Sequence, residues 1–234
     1  MPISHQKKFI FIHIPKCAGS SVEKFLMKNT ELCLMKSGVM DTDEIVKNKF
    51  YITGEVHGLE RHLSALEIKS LIGSSTYDRY YKFTIVRNPY SRIVSFYEYV
   101  KGLKNPDTNK LQVNLVLNSK NFYEFVINSL NEKKMTLFFN QYQYVCDKNK
   151  KLIINDYIKF EDLDTQWRPL SKKLLNESKL DQIRTLINPK RLDLKKINSS
   201  HKKTRNYREY YDHELRDLVT DAVITDLELF KYNF

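Results

Sequence analysis

The chain has 234 residues, enough for one domain with a substantial core, which is the organisation expected across residues 1–234. Its 41% hydrophobic content, with 15 Tyr and 13 Phe, excludes a disordered chain. Three scattered cysteines, Cys17, Cys33 and Cys146, suit neither a disulfide framework nor a zinc site, and a charge of +11 favours anionic partners without choosing among nucleotides, nucleic acid, acidic polysaccharide or an anionic membrane face.

A few polar residues precede the first strand, leaving no room for a secretory leader, and no apolar run approaches the roughly 18 residues that span a bilayer. A soluble protein of a reducing cytoplasm is expected. From Lys8 to Ile14 the chain is almost continuously apolar and is ended by Pro15, which suits a central parallel strand buried on both faces. Lys16-Cys17-Ala18-Gly19-Ser20-Ser21 follows as a short turn into a helix, capped by Ser20 or Ser21 and reaching about Met27. Such a turn directs backbone N–H groups inward, the helix adds its own unpaired donors and the positive end of its dipole, and Lys16 adds a full charge. A phosphate or sulfate is the expected occupant. The lysine precedes Gly19, whereas G-x-x-x-x-G-K-[ST] places it after the last glycine, which argues against a kinase or GTPase but not against a phosphorylated ligand.

Residues 41–48 read as a short helix and Phe50 to Thr53 as a strand, followed by the loop Glu55-Val56-His57-Gly58. Ser64 with Glu67 forms a capping box that opens a helix to about Ile72. Tyr80 to Val86 is a second strong strand, stopped by Arg87-Asn88-Pro89, and Ser91 to Lys101 has helical spacing. The polar stretch from Gly102 to Lys120 reads as an exposed, mobile loop. Asn121 caps a helix to about Leu130, Leu152 to Phe160 is the last strand, and helices are expected over 163–175, 179–187 and 207–230. Alternating strands and helices predict an α/β fold whose parallel sheet is covered on both faces and binds ligands at the carboxyl ends of its strands.

Two strands therefore run into basic turns, at Lys16 and at Arg87, with Ser95 on the helix that follows the second. Four blocks resemble the 3'-phosphoadenylyl-sulfate-dependent sulfotransferases, particularly the carbohydrate branch that includes heparan-sulfate 2-O-sulfotransferase. Phe11 to Ser21 is similar to the family's 5'-phosphosulfate loop and Phe83 to Tyr97 to its 3'-phosphate block; Ile158 to Leu163 and Asn198 to Phe234 are similar to a later strand-and-turn segment and to the closing loop and helix. The resemblance implies a P-loop-like three-layer α/β/α sandwich. It implies that Lys16, Cys17, Ala18, Gly19, Ser20 and Ser21 hold the 5'-phosphosulfate, that Arg87 and Ser95 hold the 3'-phosphate, and that Lys202, Lys203 and Arg205, within the segment from His201, close over the nucleotide. The acceptor hydroxyl, a glycan in the resembling enzymes, needs a base because its own pKa is too high for attack at neutral pH. His57 matches the family's histidine in position, His62 is its rival, and Glu55 either orients the imidazole or is itself the base; Val56 stands where the family often has glycine.

Blander roles compete with each of these. Lys16 could be a solvated lysine in an ordinary strand-to-helix turn, Arg87 and Ser95 a surface pair and a helix serine, and His57 a satisfied loop histidine. His13, within a buried strand, is expected to pack or to bond to backbone. Cys17, beside a lysine and a helix start, could be a nucleophile, but the resembling loop uses chiefly its N–H. Trp167 is core or acceptor-cleft wall. Two alternative functions stand beside a metal-independent sulfotransferase: a non-catalytic phosphate- or nucleic-acid-binding module, and a P-loop kinase-like enzyme.

Overall fold

A computed structural model of the chain describes residues 2–30, 33–34, 62–132, 135, 139–175, 192–194 and 206–234. The expected helices over 41–48 and 179–187, the strand from Phe50 to Thr53 and the loop around His57 lie outside the described residues. The fold is mixed α/β, and it divides into two compact units, residues 1–86 with 145–197 and residues 87–144 with 198–234.

Among the described residues the first unit carries a five-stranded sheet in the order β3-β1-β2-β4-β5, comprising β1 (Pro2–Ser4), β2 (Phe9–Ile12), β3 (Cys33–Leu34), β4 (Tyr81–Val86) and β5 (Asp156–Lys159). β2 is central, as its apolar run predicts, and pairs in parallel with β4 at Ile10↔Lys82 and Ile12↔Thr84. β5 continues the parallel set, but β1 pairs antiparallel with both β2 and β3, so the sheet is mixed and the expected parallel sheet is corrected at that strand. The short return from β1 to β2 leaves no crossover, which is what an antiparallel neighbour requires. Phe9, Ile10, Phe11 and Ile12 are all buried, each contributing roughly 1.5–3 kcal/mol by leaving water. Thr84 Oγ1 donates to the Ile12 carbonyl (2.7 Å), tying the two strands beside their carboxyl ends.

Three helices described in this unit follow the sequence closely, and a fourth, Ser74–Arg79, was not expected. α1 (Gly19–Asn29) leaves the turn after β2, α2 (Ala65–Ile72) opens on the expected Ser64–Glu67 capping box, α3 (Ser74–Arg79) leads into β4, and α8 (Leu163–Leu175) spans the predicted residues. The last strand is shorter than expected. Leu152 forms only an isolated bridge with Cys146, and the ladder begins at Asp156.

The second unit is helical: α4 (Pro89–Lys101), α5 (Leu111–Asn118), α6 (Phe122–Asn131), α7 (Tyr142–Val145, which returns the chain to the first unit) and α9 (His213–Phe230). α4 starts earlier than its spacing suggests, because Asn88 Oδ1 accepts from the Tyr90 and Ser91 N–H groups and Pro89 takes the first helical position, where its missing N–H costs nothing. Gly102–Lys120 is not the expected loop: it contains α5, whose Val113 and Val116 are buried in a core with Phe96, Phe122 and Phe125. The expected helix over 207–230 is broken. Tyr207–Tyr210 is a 3-10 turn, and Asp212 caps α9 by accepting from the Leu215 N–H at 2.8 Å.

Candidate functional site

The turn after β2 has an unusual backbone. Lys16 (φ 66°) and Ala18 (φ 61°) are both left-handed without being glycine, a conformation that costs roughly 1–3 kcal/mol per residue and persists where surrounding structure imposes it. Ala18 is the N-cap of α1 and has no side-chain cap bond, so the expected capping by Ser20 or Ser21 is corrected. The chain enters the helix from a left-handed residue, which places both serines inside the first turn. The Ala18 carbonyl accepts from Ser21 N–H (2.9 Å) and Val22 N–H (3.2 Å), leaving Gly19 and Ser20 at the helix start where N–H groups face away from the intrahelical ladder. Lys16, Ala18 and Ser20 are half-buried and Cys17 is buried, its thiol donating to the Pro15 carbonyl (3.6 Å).

Gly19 is required by close approach. A Cβ placed on it would stand 1.9 Å from the imidazole of His13, far inside contact distance. That ring cannot easily yield: His13 is buried, stacks on Phe11, and its Nδ1 donates to Glu23 Oε1 at 2.7 Å, with the glutamate equally buried on α1. Packing, as expected for His13, and a hydrogen bond to a carboxylate in place of the expected bond to backbone thus set the back wall of the turn. The Glu23 partnership went unpredicted.

His62 joins the same cluster. Its Nδ1 lies 2.9 Å from the His13 carbonyl and the two rings meet edge-on with centroids 4.6 Å apart. A carbonyl only accepts, so Nδ1 carries a proton and donates it to this bond. The capping box of α2, in which Ser64 N–H donates to Glu67 Oε2 (2.6 Å), fixes the backbone two residues beyond it. His62 is therefore held against His13, three residues before Lys16 in the chain.

In the second unit Arg87 directly follows β4. Its Nε donates to Ser91 Oγ (2.9 Å), one turn into α4, and Ser95 stands one further turn along the same helix face. The guanidinium is thereby turned towards the serine-bearing side of α4, the fold-back that the spacing alone leaves open. Arg92 plays no such part: it is fully buried, with Nη2 donating to the Phe139 carbonyl at 2.9 Å. Gln141 and Asp226 are further residues that sequence alone does not mark. Gln141 Oε1 accepts from the Arg87 N–H (2.9 Å) and Nε2 donates to the Arg87 carbonyl (2.8 Å), while Asp226 Oδ2 and Oδ1 accept from the backbone N–H groups of Gln141 and Tyr142, each at 2.7 Å. Burial raises the Asp226 carboxyl above its ordinary value; the hydrogen bonds from Gln141 and Tyr142 and the charge of Arg92 pull it back only in part. His57, Glu55, Lys202, Lys203 and Arg205 lie outside the described residues. Among the described residues no helix is long and apolar enough to cross a membrane.

A half-buried lysine in a strained turn at a helix start, on a parallel strand pair, and a buttressed arginine after the next strand are features of enzymes that handle phosphate- or sulfate-bearing donors. The sequence profile described as the sulfotransferase family matches residues 1–233, and the chain belongs to that family. No curated protein and no solved structure matches it. Membership makes the protein a transferase of sulfuryl groups and implies a sulfate-donor nucleotide and a hydroxyl acceptor; it does not favour the binding-module or kinase-like alternatives.

Proposed function

We propose that the protein transfers a sulfuryl group in line from 3'-phosphoadenylyl sulfate to a hydroxyl of a carbohydrate or glycoconjugate, on a P-loop-like three-layer scaffold, with release of adenosine 3',5'-bisphosphate. The turn from Lys16 to Ser21 carries the proposal. Two left-handed residues and a helix start give it backbone donors, and Lys16 gives it charge. The donor supplies an activated sulfuryl group whose leaving oxygen belongs to the 5'-phosphate.

As the acceptor oxygen bonds to sulfur, the bond from sulfur to the bridging oxygen breaks and its electron pair stays on that oxygen. Lys16 meets this growing charge, stabilising the transition state more than the ground state. The N–H groups from Cys17 to Ser20 and the Ser21 hydroxyl hold the non-bridging oxygens. Arg87 and Ser95 hold the 3'-phosphate, the planar guanidinium as a charge-assisted donor, and Lys202, Lys203 and Arg205 cover the nucleotide. The acceptor proton passes to a histidine. His57 is the candidate by its place in the family pattern, and His62 by its Nδ1 hydrogen bond to the His13 carbonyl, which holds its ring beside the turn. Positive field from these side chains serves the role that a kinase gives partly to magnesium.

Calorimetry with adenosine 3',5'-bisphosphate, 5'-AMP and ATP, each with and without magnesium, tests the donor. Micromolar or tighter binding that requires the 3'-phosphate and ignores magnesium is expected. Magnesium-dependent preference for ATP, or equal binding of 5'-AMP and the bisphosphate, would overturn it. Transfer of labelled sulfate to a panel of glycan acceptors, with tyrosyl peptides and small alcohols as competitors, then tests the acceptor class.

A further inference from the structure

Arg87 stands where the chain has left β4 and has not yet begun α4, so neither a sheet ladder nor a helix orients it. Among the described residues, one side chain meets both of its backbone groups. The primary amide of Gln141 offers one acceptor and one donor in a plane, and it meets both backbone groups of Arg87 as a neighbouring strand would, at 2.9 and 2.8 Å. Gln141 is fully buried. Its amide orientation is fixed from the far side, because Nε2 also lies 3.2 Å from Asp226 Oδ2 and a carboxylate can only accept. Asp226, fully buried on α9, is held in turn by the N–H groups of Gln141 and Tyr142, and Arg92 supplies its counter-charge.

We propose that Gln141 is a positioning residue for donor recognition: it sets the backbone of Arg87 so that the guanidinium, steadied at Nε by Ser91, presents its plane to the 3'-phosphate, and Asp226 fixes Gln141 in that task. This rests on the donor assignment made above. A planar guanidinium gains its advantage from alignment, so a tilt of its backbone lowers the contribution of the phosphate contact without removing the charge. A clamp of purely structural purpose would instead leave the 3'-phosphate contribution intact in any variant that folds.

The readout is the ratio of calorimetric affinities for adenosine 3',5'-bisphosphate and 5'-AMP, which isolates the 3'-phosphate. Gln141→Met, similar in length but without the amide, is expected to lower that ratio about tenfold while 5'-AMP binding is kept. Gln141→Asn keeps an amide but withdraws it by one methylene, and should do the same where the methionine variant does not fold. In an Arg87→Ala background neither substitution should change the ratio further. An unchanged ratio in either folded variant, an equal loss for both ligands, or the same loss persisting without Arg87 would each overturn the assignment. The intact chain gives an independent check: amide exchange at the Arg87 N–H should slow on adding the bisphosphate and not on adding 5'-AMP, and equal behaviour with both would count against the clamp. If the unsubstituted protein shows no 3'-phosphate preference at all, the donor assignment itself falls, an outcome distinct from a preference that survives loss of the amide.

Discussion

The turn from Lys16 to Ser21 takes its shape from its own backbone and from a Cβ that is missing at Gly19, whereas the backbone of Arg87 is held by side chains 54 and more residues away. In the first unit the supporting contact, His13 to Glu23, is local and buried; in the second, Gln141 and Asp226 belong to different elements. The contrast shows two ways of making a cationic group reliable. A strained turn fixes many N–H donors at once and tolerates little side-chain change, while a clamp fixes one residue and is open to graded adjustment.

The comparison breaks most visibly at Lys16. Lys16→Ala is expected to lower turnover with donor by about a hundredfold or more, with much smaller loss of adenosine 3',5'-bisphosphate affinity, because the charge it is proposed to meet develops only during transfer. Steady-state rates beside calorimetry decide this; a loss confined to binding would make Lys16 a mere tether. Arg87→Ala should cost about tenfold to a hundredfold in bisphosphate affinity and leave 5'-AMP unchanged, so that the two anchors fail in different measurements.

Gly19→Ala sharpens the structural side of the contrast. Forcing a methyl into the His13 ring should destabilise the protein by about 1–3 kcal/mol in denaturant titration, and a His13→Ala background should relieve most of that cost. Additive losses would show that the ring is not what excludes the methyl. The smallest effect concerns two buried tyrosines, one in each unit. Tyr77 donates to the Ile153 carbonyl (2.8 Å) and Tyr211 to the Tyr90 carbonyl (3.0 Å), and burial raises both phenols above the usual value of 10.0. The folded protein then keeps protons that the unfolded chain releases, so this stabilisation is complete below about pH 10 and is lost as pH rises through the folded values. Tyr77→Phe and Tyr211→Phe should each flatten the alkaline fall in stability, by an amount on the order of 1 kcal/mol.

The apolar runs that became β2 and β4, the capping box of α2 and the bounds of α8 were legible because each signal lies within a few consecutive residues. β1 was not, since a strand of three residues beginning at Pro2 carries almost no periodicity and is defined by its partner. α5 was hidden by the polar residues on either side of it; Val113 and Val116 count as a helical face only once the core they enter is known. At the site, Lys16 and Arg87 were visible as strand-end cations. The left-handed backbone at Lys16 and Ala18 was not, because a non-glycine residue there leaves no trace in composition, and Gln141 and Asp226 were invisible because their meaning comes from contacts across 54 and 85 residues.

Sequence distance also bears on the order in which the protein becomes competent. The helix start beyond Lys16 is buttressed over ten residues, whereas the support of Arg87 waits for Asp226, 85 residues beyond Gln141. Closing the longer loop carries the larger entropy cost, and it also requires α9, the last helix of the chain, to be in place. Pulse-labelled amide exchange during refolding is expected to protect the Val22 N–H before the Arg87 N–H; simultaneous protection would make the two units one cooperative event. With that order, a newly made chain would complete first the turn proposed to grip the reacting end of the donor, and the arginine proposed to tell one nucleotide from another only when α9 docks.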